Sequence, residues 1–367
     1  MRAAGASHPI SNSLSRSDLT VKAAAAAMRS AIRASTPADA PAIVALFAER
    51  RMRGNFDAEY LSWKYWQPRA DWPGSRSFVL ARDSELIAHA AVIPVVCAWE
   101  SRRVTMLHTI DWVARDGSGA GIMLMKYLSR MADALLGIGG GDETRRLLPH
   151  LGFRPVGVAT GFARPLFPLR ILRGGATWKL VPRMARAIRR RSMPAVPPSP
   201  WRARALVADE FAQIIPVLPR SIDGLAVTVR STGLFEYLLS CPTVPMRVYA
   251  VENAERVRGY FLLSSAAGQV RIADCWIDSQ EPADWRAMIL CAVAEAQHDP
   301  QAAEIVAWAS DPLLALELRS CGFYPRFESP IHLRPSVAYA MPPGTLRVQM
   351  LDNDAVFLCT SRSEYWG

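Results

Sequence analysis

The stretch 110-IDWVARDGSGAGIMLMKYLSRMADAL-135 decides how the rest of the chain is read. An apolar segment ends in Asp116-Gly-Ser-Gly-Ala-Gly121, and an amphipathic segment follows. Leu107, Ile110, Trp112 and Val113 suit a strand, whereas Ile122, Met125, Leu128, Ala132 and Leu135 recur at helical steps of three and four. The order is therefore strand, glycine loop, helix. Without a Cβ, Gly117, Gly119 and Gly121 let backbone N–H groups approach an anion, and the helix N-terminus adds donors and partial positive charge. A phosphate-bearing ligand is the natural occupant, although the same glycines also suit an ordinary strand-to-helix turn. A dinucleotide fingerprint needs an acid at the end of a second strand about 20 residues on. Asp133 is near that distance but inside the expected helix. A P-loop needs Lys after its last glycine, where Ile122 stands.

The flanks extend this order. Upstream, Ala31–Ala34 reads as a strand, and Thr36, Pro37 and Asp39 mark a helix start ahead of the buried stripe Ile43, Leu46, Phe47. An aromatic helix is expected from Phe56 to Trp66, mostly core, with Tyr60 and Trp63 able to present a polar edge to an acceptor. Strands at Ser77–Arg82, Leu86–Cys97 and Arg103–Val113 lead into the loop. Beyond it come a short strand over Leu136–Gly141, a helix from Asp142 to His150, and a strand opening at Gly152-Phe153.

The 367 residues suffice for two cores. Residues 1–30 are an Ala- and Ser-rich extension read as disordered, without the apolar run of a secretory signal, and Met28 is a candidate true start. The apolar run Ile87–Trp99 is too short to span a bilayer. Six cysteines form no C-x-x-C pair and the histidines no H-E-x-x-H, so no metal is expected and the thiols suit a reducing, cytoplasmic setting. Net charge is +10, but eleven basic residues and no acid fall between Arg164 and Arg204, leaving 32 basic against 33 acidic elsewhere. That distribution speaks against nucleic acid as a partner. The basic, Pro-rich segment 166–202 reads as a solvated linker, with a basic helix at 179–191, able to make weak contact with an anionic membrane surface.

After the linker the chain repeats itself. Asp39, Glu59-Tyr60-Leu61, Trp112 and Gly152-Phe153 have counterparts, in the same order, in Asp209, Glu236-Tyr237-Leu238, Trp276 and Gly322-Phe323. The repeat lacks the loop: Trp276-Ile-Asp-Ser-Gln-Glu-Pro-Ala-Asp284 has three acids and no glycine. A helix at Trp285–Ala296, a strand at Glu304–Ala309, a helix at Leu313–Cys321 and tail strands at Thr345–Met350 and Val356–Cys359 complete the expectation.

The order of elements and the loop resemble the GNAT acyltransferase superfamily, whose Gln/Arg-x-x-Gly-x-Gly/Ala loop holds the pyrophosphate of coenzyme A. Asp116, Gly119 and Gly121 fall on its three defining positions, with Asp116 in place of the first. The resemblance implies an α/β (α+β) chain of two tandem GNAT-like domains, each a mixed, mostly antiparallel sheet flanked by helices. Residues 31–165 would be the catalytic domain and 203–367 a degenerate one that binds no coenzyme A.

The same resemblance implies an acyltransferase, in the first instance an N-acetyltransferase, moving an acyl group from acetyl-CoA or another acyl-CoA to an amine or hydroxyl of a small molecule or sugar. Tandem relatives are often tied to bacterial polysaccharide pathways. The amides of Gly117, Ser118, Gly119, Ala120, Gly121 and Ile122 would bind the pyrophosphate, with Trp112 and Val113 holding the pantetheine arm and a backbone N–H polarising the thioester. Asp111 is the first candidate base and His108 the second; alternation along a strand expects only one of them to face the site. Leu148 stands where many relatives carry a Tyr acid, which leaves His150 or a water for that role. Two other readings are a non-catalytic GNAT-fold scaffold and a peptidoglycan aminoacyl transferase, the latter needing no coenzyme A loop.

Overall fold

The computed structural model describes residues 30–52, 54, 56–167, 170, 196–222, 224–337, 340–342 and 344–359. The extension with Met28 and the basic helix expected at 179–191 lie outside these. The first half runs β1 (Ser30–Ala34), a 3-10 turn, α1 (Ala40–Glu49), α2 (Ala58–Leu61), β2 (Ser77–Arg82), β3 (Glu85–Trp99), β4 (Arg102–Ala114), α3 (Ala120–Leu128), β5 (Ala134–Ile138), α4 (Asp142–Leu147) and β6 (Arg154–Pro165). The second half repeats it: β7 (Trp201–Leu206), a 3-10 helix (Ala208–Val217), β8 (Leu225–Thr228), α5 (Thr232–Leu239), β9 (Met246–Asn253), β10 (Arg256–Ala266), β11 (Gln269–Ile277), α6 (Pro282–Gln297), β12 (Glu304–Ala309), α7 (Pro312–Ser320) and β13 (Tyr324–Pro335). A short β14 (Thr345–Leu346) and two 3-10 turns, Met350–Asp352 and Asp354–Phe357, close the described chain.

One sheet crosses both halves in the order β1-β2-β3-β4-β5-β13-β6-β12-β11-β10-β9-β7. The halves exchange their last strands: β13 pairs with β5 and β6 with β12, so each half completes the other's sheet. Gly152 and Gly322, at matching places in the repeat, carry left-handed φ values of 82° and 84° just before the exchanged strands. The helices seal the faces. Leu124, Met125 and Leu128 of α3 pack with Leu80 and Leu107, and α6 is buried on nearly every side.

Several elements differ from expectation for local reasons. The aromatic segment is α-helical only to Leu61 and then widens into a π-turn over Ser62–Trp66, which buries three consecutive residues, Trp63, Lys64 and Tyr65. Ile122 is 40% exposed rather than on the buried stripe, and α3 stops at Leu128. The helix after β5 begins at Asp142 with Gly141 as its cap, but ends at Leu147 before a separate turn holding His150. The expected tail strands shrink to two residues of β14 and a 3-10 turn.

Candidate active site

The glycine loop has the geometry its sequence asks for. Gly117 and Gly119 adopt left-handed φ of 66° and 67°, and a Cβ on either would meet no atom within 4 Å. Backbone conformation, not crowding, therefore requires glycine there. Gly121 is glycine for a different reason: a Cβ would stand 2.9 Å from Trp112 Nε1, and that indole donates a 3.1 Å hydrogen bond to the Gly121 carbonyl. The Trp112 side chain thus fastens the loop from beneath. A cavity of about 500 Å³ opens in front, bordered by Arg50, Met52, Val113, Ser118, Gly119 and Ile122. Asp116 borders the same cavity, 81% exposed, and its carboxylate is met by Arg50 at 2.5 Å. The acid that would repel a pyrophosphate carries its own counter-charge.

Beside the loop the sheet splits. β4 and β5 are paired in parallel only from Met106 to His108 and from Ala134 to Leu136. They then diverge around a second cavity of about 650 Å³, whose walls include Thr109, Asp111, Gly137 and Thr144. Trp308 and Phe327 of the second half and the 353–358 tail cover it. The two cavities share Met52, Trp112, Gly141 and Thr144, so they form one groove running from the loop into the split.

A β-bulge sits at the mouth of the split. Between Ile110 and Val113, β4 carries one residue more than its partner β3, and Asp111 takes φ 47°. A left-handed non-glycine residue in a strand is strained and needs support. His89 supplies it by donating from Nδ1 to the Asp111 carbonyl at 3.1 Å. Behind His89 the chain continues to Ser77 Oγ at 2.9 Å, to Ser35 Oγ at 2.6 Å and to the Trp66 indole at 3.0 Å. The bulge also resets side-chain alternation, so His108 and Asp111 both border the cavity, contrary to the expectation that only one would.

The Asp111 carboxylate is tied down. Tyr65 Oη donates to Oδ2 at 2.6 Å, and Lys64 Nζ stands 2.6 Å from the same oxygen. Burial pushes the carboxyl up, but Lys64 and the two hydrogen bonds outweigh it and hold Asp111 below the usual carboxylate range. The same pairing carries Lys64, despite its burial, well above an ordinary lysine. Asp111 is thus an anion with little appetite for a proton. His108 differs: it is 1% exposed and its Nδ1 has no partner among the described residues. Burial pushes its pKa down to about 4, and its ring also faces the Asp352 carbonyl. The imidazole is neutral near neutrality, with one ring nitrogen free to accept.

Other expected residues fall elsewhere. His150 is exposed and borders neither cavity. Tyr60 and Trp63 are buried at 2% and 3% and line neither cavity. Trp63 stacks on Tyr237 with ring centroids 4.7 Å apart, and the pair exchange bonds, Trp63 Nε1 to the Tyr237 carbonyl and Tyr237 Oη to the Trp63 carbonyl. These aromatics join the halves. Sequence reasoning missed Arg50, Lys64, Tyr65, His89 and Asp354. The last comes from the second-half tail, is partly exposed at the cavity, and accepts from Lys64 Nζ at 3.1 Å. No local pattern marks it.

Among the described residues, no three His, Cys, Asp or Glu side chains are grouped to hold a metal, and no helix is long and apolar enough to cross a membrane. Neither a scan of protein-family models nor a search of curated proteins matches this sequence. Solved structures do match. An N-myristoyltransferase from Saccharomyces cerevisiae with bound myristoyl-CoA aligns with TM-score 0.59 and 15% identity over 83% of this chain and 80% of its own. A GCN5-related N-acetyltransferase from Anabaena variabilis aligns with TM-score 0.54 and 15% identity over 83% and 72%. Another from Kribbella flavida gives 0.50 and 17% over 84% and 72%. The chain has the GNAT fold, doubled along its length.

Proposed function

We propose that this doubled GNAT-fold chain is an acyl-CoA-dependent acyltransferase whose one site lies in the first half, with an acetyl group as the simplest donor and a primary amine as the acceptor. The groove that runs from the glycine loop into the β4–β5 split carries this reading. The Ser118 and Ala120 amides are taken up by the Arg115 carbonyl and by Ser118 Oγ. The loop end therefore offers a pyrophosphate the amides of Gly117, Gly119, Gly121 and Ile122 at a helix N-terminus, and the groove's width at the split takes a thioester and a second substrate. The pantetheine arm would lie along Trp112 and Val113, bringing the thioester to the bulge at Asp111.

The chemistry follows from the charges. Asp111, Asp354 and the intervening Lys64 form a cluster of net charge −1 at the cavity, and neutral His108 adds no cation. Such a site attracts an ammonium more than a neutral hydroxyl. Asp354, the more exposed carboxylate, receives it. The ammonium gives one proton to water in the open groove, and the neutral amine nitrogen then attacks the thioester carbonyl to form a C–N bond. The second nitrogen proton passes through a water to His108, whose Nδ1 is buried, and the C–S bond breaks to release the CoA thiolate. With Leu148 buried and His150 on the surface, that thiolate leaves toward solvent and takes its proton from water.

Calorimetric titration with acetyl-CoA tests this reading. Binding near one equivalent, abolished in Gly119→Trp, is expected, because that side chain would fill the space before the loop. A folded protein that takes up no acetyl-CoA overturns the reading and favours a scaffold.

A further inference from the structure

The place in the second half that corresponds to the β4–β5 split is closed by the chain's own tail. β11 and β12 pair in parallel only from Gln269 to Ile272 and from Glu304 to Ala307, then diverge as β4 and β5 do. The strap that follows β14 runs into this gap. Val348 N donates to Ser310 Oγ at 2.7 Å, and that hydroxyl donates to the Leu346 carbonyl at 2.7 Å. Gln349 spans the gap to β11: its Oε1 accepts from Cys275 N at 3.1 Å, and its Nε2 donates to the Cys275 carbonyl at 2.9 Å and to Asp274 Oδ1 at 2.6 Å. Cys275 precedes Trp276 as Asp111 precedes Trp112, so Gln349 engages the backbone at the position repeating the bulge. Arg230, fully buried, then joins Asp274 at 2.8 Å to strap residue Asp352 at 2.9 Å.

Past this anchor the strap enters the first-half site. The Asp352 carbonyl faces the His108 ring. Asn353 Nδ2 donates to the Ile138 carbonyl at 3.4 Å, at the end of β5, and its Oδ1 accepts from Ala355 N at 2.8 Å. Asp354 meets Lys64. The strap therefore supplies Asp354, to which the acyl-transfer reading gives the amine, and its residues Asn353 and Asp354 line the same cavity as His108, to which that reading gives the proton.

We infer that Gln349, Arg230 and Asp352 are positioning residues: the blocked wedge of the second half anchors the strap that orients His108 and presents Asp354 in the first. The inference rests on the acyltransferase reading for its purpose but not for its geometry. It gives the second half a role in the site without its binding a coenzyme. Loss of a glycine loop there follows naturally, since the tail already holds the gap.

The test is Gln349→Leu in the full chain, read by histidine NMR with His108 assigned through His108→Gln. With the anchor gone, the His108 ring should change its tautomer balance and its titration should shift, as water reaches it and the strap groups Asp352 and Asp354 withdraw. Amides of 353–358 should exchange about tenfold faster. His89, bonded to Ser77 and Asp111 on the far side of β4, should keep its signal, which separates this effect from general loosening. Acetyl-CoA affinity should stay within about threefold, since the loop is untouched. Should Gln349→Leu fail to fold, Ser310→Ala removes only the hydroxyl clamp and should move the same signals in the same direction. Unchanged His108 tautomer and unchanged strap exchange overturn the inference. Absence of acetyl-CoA binding by the unsubstituted protein overturns the acyltransferase reading alone, because the NMR and exchange readouts need no coenzyme.

Discussion

Lys64 Nζ stands 2.6 Å from Asp111 and 3.1 Å from Asp354, so one buried ammonium joins a carboxylate of the first half to one contributed by the second-half tail. Removing it leaves Asp111 buried without its counter-ion. Lys64→Met, which keeps the length of the side chain, should destabilise the fold by about 3–5 kcal/mol in urea denaturation. The double change with Asp111→Asn should recover much of that loss, since the orphaned charge is then gone. A loss no smaller in the double variant would show that Lys64 matters through packing instead.

Stability should fall on mild acidification. Burial lowers both His89 and His108 from 6.5 to about 4. Their neutral forms are favoured by the fold, so the stabilisation is full above pH 6.5 and is lost as pH falls toward 4, where the unfolded chain binds more protons. Each contributes up to about 3 kcal/mol across that window. Asp111, held low, adds its own loss only below the ordinary carboxylate range. Denaturation at pH 7, 5.5 and 4 measures the slope, and His108→Gln should flatten it by about half.

Gly121→Val tests the underside of the loop. The new side chain would meet the Trp112 indole at 2.9 Å and break its bond to the Gly121 carbonyl. A destabilisation of about 1–3 kcal/mol is expected from the overpacking, together with a loss of acetyl-CoA affinity of about tenfold or more. Gly117→Ala, at a position with open space, should cost about 1 kcal/mol for its left-handed backbone and little affinity. Equal loss of affinity in both would mean that backbone shape, not the Trp112 clasp, governs the loop.

Much of the fold was legible. The strand and glycine loop around Asp116–Gly121, the start of the helix after it, the strands at 77–82 and 304–309, and the duplication stand where the sequence pattern puts them, whereas that helix ends at Leu128 and Leu135 of its expected stripe lies in β5. The site was legible in part. Gly117, Gly119, Asp111 and His108 come to one groove, while His150, Tyr60 and Trp63 do not. The misplaced aromatics have a common cause. A π-turn has no signature in residue spacing, and an aromatic that packs against a repeat partner looks the same in sequence as one that lines a pocket.

The sequence by itself determined what is local: where glycine must replace any L side chain, which faces are apolar, and which segments repeat. Those follow from φ, ψ and burial at single positions. Tertiary structure alone decided what depends on residues far apart. The exchange of β6 and β13, the bulge that turns Asp111 and His108 toward one cavity, and the strap that brings Asp354 to Lys64 across 290 positions belong to this class. Such pairings are set by competition among many long-range contacts for one packed core, and no short window of residues encodes its outcome.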